Sequence, residues 1–407
     1  MIEYIIHVPL LAALGYLVLN PLAKRYGKWP LASLLVKILS GVAVGLVFTH
    51  FYSGGDTWAL HEQITSFNKN HTLSLASYSY EIFQPIDPYS GNPRTVFLIR
   101  LLSPLSWTVR DNYWLLAIYL AIFSFWATWK LIRSLDNYYP NQQKQVIAVF
   151  CFFPSLIFWT SGIMKDTLAI GCLFVLTSHL VNFYHRGENS WIGLLEILLG
   201  FFLLFKLRHY LAGAFGFVAL FVFSDQWLKQ KGSFYRIVSL LVVIGITAIL
   251  IRYFYIRLRP ERFPLTFYEL HESIQSRSDP ESLVHFELKP TWSSIVVNSP
   301  KALLAGLFRP LPGEIRNPLG LLQGIENLFI LLLFAASLYR FKKIKLPDDS
   351  LILGSILFIL LLATVLPLTS PNLGTLSRYR TSYMPFFVLL TLYYPFQGFL
   401  NWSNQRH

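Results

Sequence analysis

The sequence predicts an all-α, polytopic integral membrane protein of about 11 transmembrane helices, with two extracytoplasmic segments carrying interfacial helices. Composition and the length of the apolar runs predict it. Hydrophobic residues make up 54% of the 407-residue chain and charged residues 14%, and mean hydropathy is +0.48, well outside the ordinary range of soluble domains. The apolar residues gather in runs near the roughly 17 to 25 residues that a helix needs to cross hydrocarbon. They lie at 4–22, 31–51, 112–129, 145–163, 166–184, 191–205, 210–227, 235–256, 319–338, 351–368 and 382–400, in one transmembrane domain spanning 1–407.

The first run lacks the basic start and small-residue cleavage site of a signal peptide, and Lys24 and Arg25 follow it, so it reads as a retained span. Short loops then set the orientation, because Lys and Arg accumulate on the cytoplasmic side. Lys24, Arg25 and Lys28 follow the first span; Lys130, Arg133 and Lys144 follow the third; Arg186 follows the fifth. Lys229, Lys231 and Arg236 follow the seventh, and Arg340, Lys342, Lys343 and Lys345 the ninth. Every odd-numbered span therefore ends inside. The expected placement is a multi-pass protein of the plasma (inner) membrane, N-terminus extracytoplasmic and C-terminus cytoplasmic.

The net charge of +13 sits largely in these loops, where orientation and anionic headgroups account for it; nucleic acid is not an expected partner, and membrane lipids are. Cys151 and Cys172 fall inside apolar runs without metal-ligand spacing and read as core residues.

With this orientation two long segments, 52–111 and 257–318, lie outside. The first opens on an amphipathic helix in which Leu60, Ile64 and Phe67 share a face by helical spacing. A Pro/Gly/Asn-rich stretch, 84–93, follows, and then an apolar run, 96–107, too short to span. The second segment is charged through 257–289, half-apolar over 292–307 and Pro-rich over 308–318. Two interfacial helices on one surface would wall a lateral cleft, with Arg309, Glu314 and Arg316 as cleft residues. No internal repeat of the transporter kind is present.

Ionisable groups at a membrane are costly, so their gathering is informative. Asp56 follows the second span in Gly54-Gly55-Asp56. Lys165 and Asp166 form the turn between the fourth and fifth spans. Lys206, Arg208 and His209 form the turn between the sixth and seventh, and Arg378 and Arg380 open the last. Carboxylates among cations suit group transfer from a phosphate: a base for an incoming hydroxyl, and positive charge where the leaving phosphate becomes more negative. Each residue also has a plainer use. Asp56 and Asp166 suit helix starts, Lys165 suits pairing with Asp166, and Arg208 and His209 suit interfacial anchoring. Arg378 and Arg380 run against the positive-inside bias. Glu196 and Glu326 need partners in apolar surroundings, and His50 and His179 read as satisfied core histidines. No metal-ligand cluster, phosphate loop or serine elbow occurs, so no metal or other cofactor is expected.

These motifs resemble the C-type superfamily of multi-span glycosyltransferases that use polyprenyl-phosphate sugars. Gly54-Gly55-Asp56 is similar to its first-loop acid. The stretch 153–166, ending in Met164-Lys165-Asp166, is similar to its second external acid. Ser377-Arg378-Tyr379-Arg380, with Pro385 beyond, is similar to its late Arg-Tyr and Pro. Family members usually carry the acidic loop after the first span, whereas Asp56 follows the second. The chain then has an additional N-terminal helix, or its similarity is to a looser group of envelope-polysaccharide proteins. The resemblance implies an inverting enzyme that moves a sugar from a polyprenyl-phosphate carrier to an envelope glycan, lipid or protein on the extracytoplasmic face. Asp56 and Asp166 would be catalytic, and Lys165, Arg208, His209, Arg378 and Arg380 would bind the donor phosphate. The alternatives are a polysaccharide polymerase or ligase using diphosphate-linked chains, and a transporter or flippase for lipid-linked sugars.

Overall fold

The computed structural model describes residues 2–50, 55–70, 92–186, 190–228, 232–254, 259, 261–341 and 349–392. Gly54 of the Gly-Gly-Asp motif, the turn-rich stretch through Gly91, loop residues Lys229, Lys231, Lys342, Lys343 and Lys345, and the end of the last expected span lie outside them. About 86% of the structure is helical, with no strand among the described residues. The chain forms two compact units, Met1–Ala212 and Gly213–His407.

The first unit contains α1 (Ile2–Tyr26), α2 (Trp29–His50), α3 (Gly55–Asn70), α4 (Pro93–Thr108), α5 (Tyr113–Tyr138), α6 (Gln143–Phe152), α7 (Pro154–Trp159), α8 (Lys165–Arg186) and the start of α9 (Trp191–Leu228). Local sequence sets several of these ends. Gly27 takes φ +62°, open to glycine at little cost, and its N–H bonds Ala23 O to close α1 before α2 begins. Asn92 caps α4 ahead of Pro93, and Asn112 caps α5 by accepting from the N–H groups of Trp114 and Leu115.

α5 and α8 make the centre: 67% and 78% of their apolar windows are buried, against 22% in α1. Gly171 lets α8 close on Phe123 of α5, for a Cβ there would stand 2.6 Å from that ring. α2 packs with Gly41 against the Ser161 carbonyl and Gly45 against Tyr113 and Trp114. Across one end of the unit, Asp136 accepts from Arg25, Tyr26 and Gln143. Glu196 accepts from Lys130 and lies 2.6 Å from His179 Nε2, so the half-buried acid and the core histidine satisfy each other. Cys151 and Cys172 are buried thiols, as expected. α3 is amphipathic as read, with Leu60 and Ile64 buried.

The second unit holds the rest of α9, then α10 (Ser233–Phe254), α11 (Phe263–Gln275), α12 (Trp292–Phe308), α13 (Pro318–Phe341), α14 (Ser350–Thr369), α15 (Leu373–Tyr379) and a helix at 384–392. α12 packs along α14 so closely that a Cβ on Gly306 would lie 2.0 Å from the Ala363 carbonyl. Phe267, Leu288, Ile295, Ala302 and Leu368 form the core beside that crossing. Buried Asp225 accepts from Ser350 at 2.5 Å and pairs with Arg236.

Among the described residues six helices are long and apolar enough to cross a membrane: 3–26, α2, α5, α8, 318–339 and α14. Each matches an expected span. The others are built differently. The expected span 145–163 is broken at Phe153, because Pro154 cannot continue α6, and the short α7 runs into bends at 161–164. The expected spans 191–205 and 210–227 correspond to two helical segments of α9 that meet at a kink on Arg208 (φ −145°, ψ 69°). The expected break at Lys206, Arg208 and His209 is this kink. The expected span 235–256 corresponds to α10, in which a shorter apolar stretch, 234–247, stands out. In the first unit Ile5, Leu17, Ile192 and Leu195, and in the second Ile237 and Leu332, are each 60% or more accessible, an exposure that suits hydrocarbon rather than water.

Candidate functional site

The N-terminal ends of three helices meet polar groups on one side of the first unit. Asp166, in the first turn of α8, is 3% accessible, and its Oδ1 accepts from Nη2 of Arg208, 5% accessible, at 2.6 Å. The break in α9 falls on the residue that makes this pair. Two buried charges hold together only when each compensates the other, so Asp166 and Arg208 fix α8 against α9 at this level. Next to the pair, Lys165 Nζ donates to Thr95 Oγ1 at 2.6 Å, which ties the start of α8 to the start of α4. Arg94 precedes that threonine. Burial, and after it the charges of Arg94 and Arg208, push the His209 imidazole down to about 4, so it is neutral at pH 7.

Asp56 is exposed and stands in the first turn of α3, where a carboxylate meets the positive helix end. It is a helical residue of that turn rather than the cap before it. Two residues on, Trp58 stacks on Tyr113 with centroids 4.0 Å apart and donates to the Gly45 carbonyl at 3.0 Å. The same indole packs against the cluster of Val44, Phe48 and Met164. Thr57 and the Tyr113 hydroxyl are hydrogen-bonded at 2.9 Å. Asp56 and Lys165-Asp166 are thus anchored through neighbours, Trp58 and Met164, that share one core.

The remaining expected residues lie in the second unit. Arg380 is 3% accessible and donates to the carbonyls of Leu307, at 2.6 Å, and Arg309. The Tyr383 hydroxyl donates to Gly306 O at 2.7 Å and Asn327 to Pro310 O at 2.7 Å, so the carbonyls ending α12 meet side-chain donors in succession. Arg309 forms a forked pair with Glu314, whose Oε2 also accepts the Leu311 N–H. Arg316 and Glu281 make an exposed pair at 3.5 Å. Arg378, half-buried, ends α15.

Two features of the first unit are absent from the sequence reading. Arg94 had a signal: Asn92-Pro93 is a cap followed by a favoured first helical residue, which places Arg94 at a helix start. Lys37 had another, being a lone ammonium inside an apolar run. It is 7% accessible and donates to Thr160, at the end of the broken α6–α7 stretch. No group of three or more His, Cys, Asp or Glu suited to a metal occurs among the described residues.

No family model, no curated protein and no solved structure matches the chain.

Proposed function

We propose that the protein is an integral membrane glycosyltransferase resembling the C-type superfamily, moving a sugar from a polyprenyl-phosphate carrier to an envelope acceptor outside the cytoplasm. The observation that carries the proposal is the group at the helix starts of the first unit. The buried Asp166–Arg208 pair stands beside Lys165 and within electrostatic range of Arg94 and His209, in a frame of helices apolar enough for a bilayer. Exposed Asp56 is the general base for the acceptor hydroxyl. Asp166 acts by holding Arg208, and the cations face the carrier phosphate as the sugar leaves it; attack from the opposite side inverts the anomeric centre.

Arg380 supports this reading less directly than the sequence suggested, since its guanidinium serves the end of α12. Arg378 also lies in the second unit, half-buried in the last turn of α15. The deciding experiment is sugar transfer by purified protein in lipid nanodiscs, from a polyprenyl-phosphate sugar to a hydroxyl acceptor, compared with Asp56→Asn. Transfer that the Asn variant loses supports the assignment; equal transfer by both removes Asp56 from the chemistry.

One observation favours a transporter of lipid-linked sugars instead. Transport sites use discontinuous helices and polar groups within the membrane, and Lys37 donates to Thr160 at such a discontinuity. Movement of a labelled lipid-linked sugar across the nanodisc's vesicle counterpart, abolished in Lys37→Met and unaffected in Asp56→Asn, would select that reading.

A further inference from the structure

We propose that Asp111 and His61 form a site for the hydroxyl groups of a neutral glycan, so that the acceptor is such a glycan rather than a lipid or protein hydroxyl. The inference rests on the transferase reading and narrows its acceptor, through residues that no sequence motif singled out.

The site is built on the turn between α4 and α5. Arg110 and Asp111 both take φ +54°, a conformation that residues other than glycine enter at a cost and keep only where their surroundings enforce it. Asp111 Oδ1 accepts from Asn68 Nδ2 of α3 and from Ser106 Oγ of α4, each at 2.8 Å. The Asp111 carbonyl accepts from His61 Nε2 of α3 at 2.9 Å, and His7 Nε2 of α1 lies 2.9 Å from the Thr108 carbonyl. One carboxylate oxygen is thus pinned. The other, Oδ2, takes no hydrogen bond from the described residues, and Asp111 is half-buried.

The ring beside it is prepared in the same sense. A carbonyl can only accept, so Nε2 of His61 carries the proton, and burial holds the ring below the ordinary histidine value, neutral at pH 7. Nδ1 is then an acceptor. It takes no hydrogen bond from the described residues, and His61 too is half-buried. Asn68, 9% accessible, repeats the pattern further in: its amide nitrogen must face two acceptors, Asp111 Oδ1 and the Ser103 carbonyl. Its buried Oδ1 is left without a donor among the described residues. The unfilled positions on these three side chains, joined through Asp111, are therefore all acceptors. Their complement is a ligand rich in donors, and the charge on Asp111 disfavours phosphates and carboxylates. Adjacent hydroxyls on a sugar ring meet two such acceptors at once, whereas the single hydroxyl of a lipid or a serine meets one. His61 stands five residues past Asp56 on α3, about 7.5 Å along the axis, a span that one or two sugar units cover. A glycan held here can present its terminal hydroxyl to Asp56.

Binding can be read without any sugar transfer. In full-length protein labelled with ¹⁵N-histidine in lipid nanodiscs, the His61 and His7 signals are assigned by their loss in His61→Gln and His7→Gln. The His61 signal is then followed during titration with neutral trisaccharides built of pentose, hexose, deoxyhexose or N-acetylhexosamine units, and separately with a prenyl alcohol and a seryl peptide. The expected result is a saturable shift with at least one trisaccharide and none with the alcohol or the peptide. Asp111→Gly, which keeps the turn and removes the carboxylate, should weaken binding on the order of ten- to a hundredfold, and Asp111→Asn, which retains an acceptor oxygen, less. The His7 signal, which reports the same turn through Thr108, should stay in place in both. If it moves in Asp111→Gly, the Asn variant decides, and undiminished binding there counts against the site. No shift with any trisaccharide, binding indifferent to Asp111→Gly in an intact turn, or an equal response to the alcohol or peptide overturns the inference. Sugar transfer by the unaltered protein in that case leaves the transferase reading in place. Trisaccharide binding without transfer does the reverse, so the two failures are told apart.

Discussion

At the scale of single residues, the Asp166–Arg208 pair makes the strongest energetic demand. Removing one partner breaks a buried charge pair, so Asp166→Asn or Arg208→Met should each cost about 3–5 kcal/mol of stability, whereas replacing both with apolar residues of similar size should recover much of it. Detergent unfolding of the two single variants and the double variant measures this; losses that simply add would show that the pair is not coupled. His209 supplies a second test, in acid. Its folded-state pKa, about 4, lies below the ordinary histidine value. The stability tied to the neutral ring is thus complete above roughly pH 6.5 and is lost as pH falls toward 4. His209→Gln should lose less thermal stability than the parent between about pH 7 and pH 4.5. An equal loss would place the acid sensitivity elsewhere. These residues were visible in the sequence as charges at the ends of apolar runs. That Asp166 and Arg208 touch was not, since nothing local specifies a partner 42 positions away.

At the scale of elements, helix existence was legible and helix continuity was not. Six expected spans appear as single helices because an unbroken apolar run admits one solution in hydrocarbon, the helix that satisfies its own backbone. The run at 145–163 misleads because hydropathy averages over Pro154, and it is the missing N–H and the ring that end α6. At 206–209 the three polar residues Lys206, Arg208 and His209 read as a turn, and the chain does break there, in a kink confined to the torsions of Arg208. Close helix contact was also invisible, being a property of two surfaces at once. Gly306 marks the α12–α14 crossing, and a side chain there meets backbone, which cannot swing aside. Gly306→Val should therefore destabilise the second unit by more than about 2 kcal/mol, beyond the usual effect of a surface change. Parental thermal stability in that variant would mean that the two helices part easily.

At the scale of the whole molecule, the distribution of Lys and Arg expects both ends of α9 on the cytoplasmic side and 257–318 outside. Ser190→Cys and Ser233→Cys should resist an impermeant thiol reagent in intact cells, while Asp279→Cys reacts; the native thiols are buried and silent. Labelling of just one of the first two would mean that the two segments of α9, which meet at the Arg208 kink, do not each cross the membrane. The buried Asp166–Arg208 pair bears on how such a chain is made. When α8 enters the bilayer during synthesis, its carboxylate precedes the guanidinium by those 42 positions, and an unanswered charge resists insertion by up to roughly 3 kcal/mol. The ribosome must deliver most of the first half of α9 before the debt is cancelled. A nascent chain released after Phe205 should be degraded faster than one released after Ala212, because only the longer one brings the cation with it.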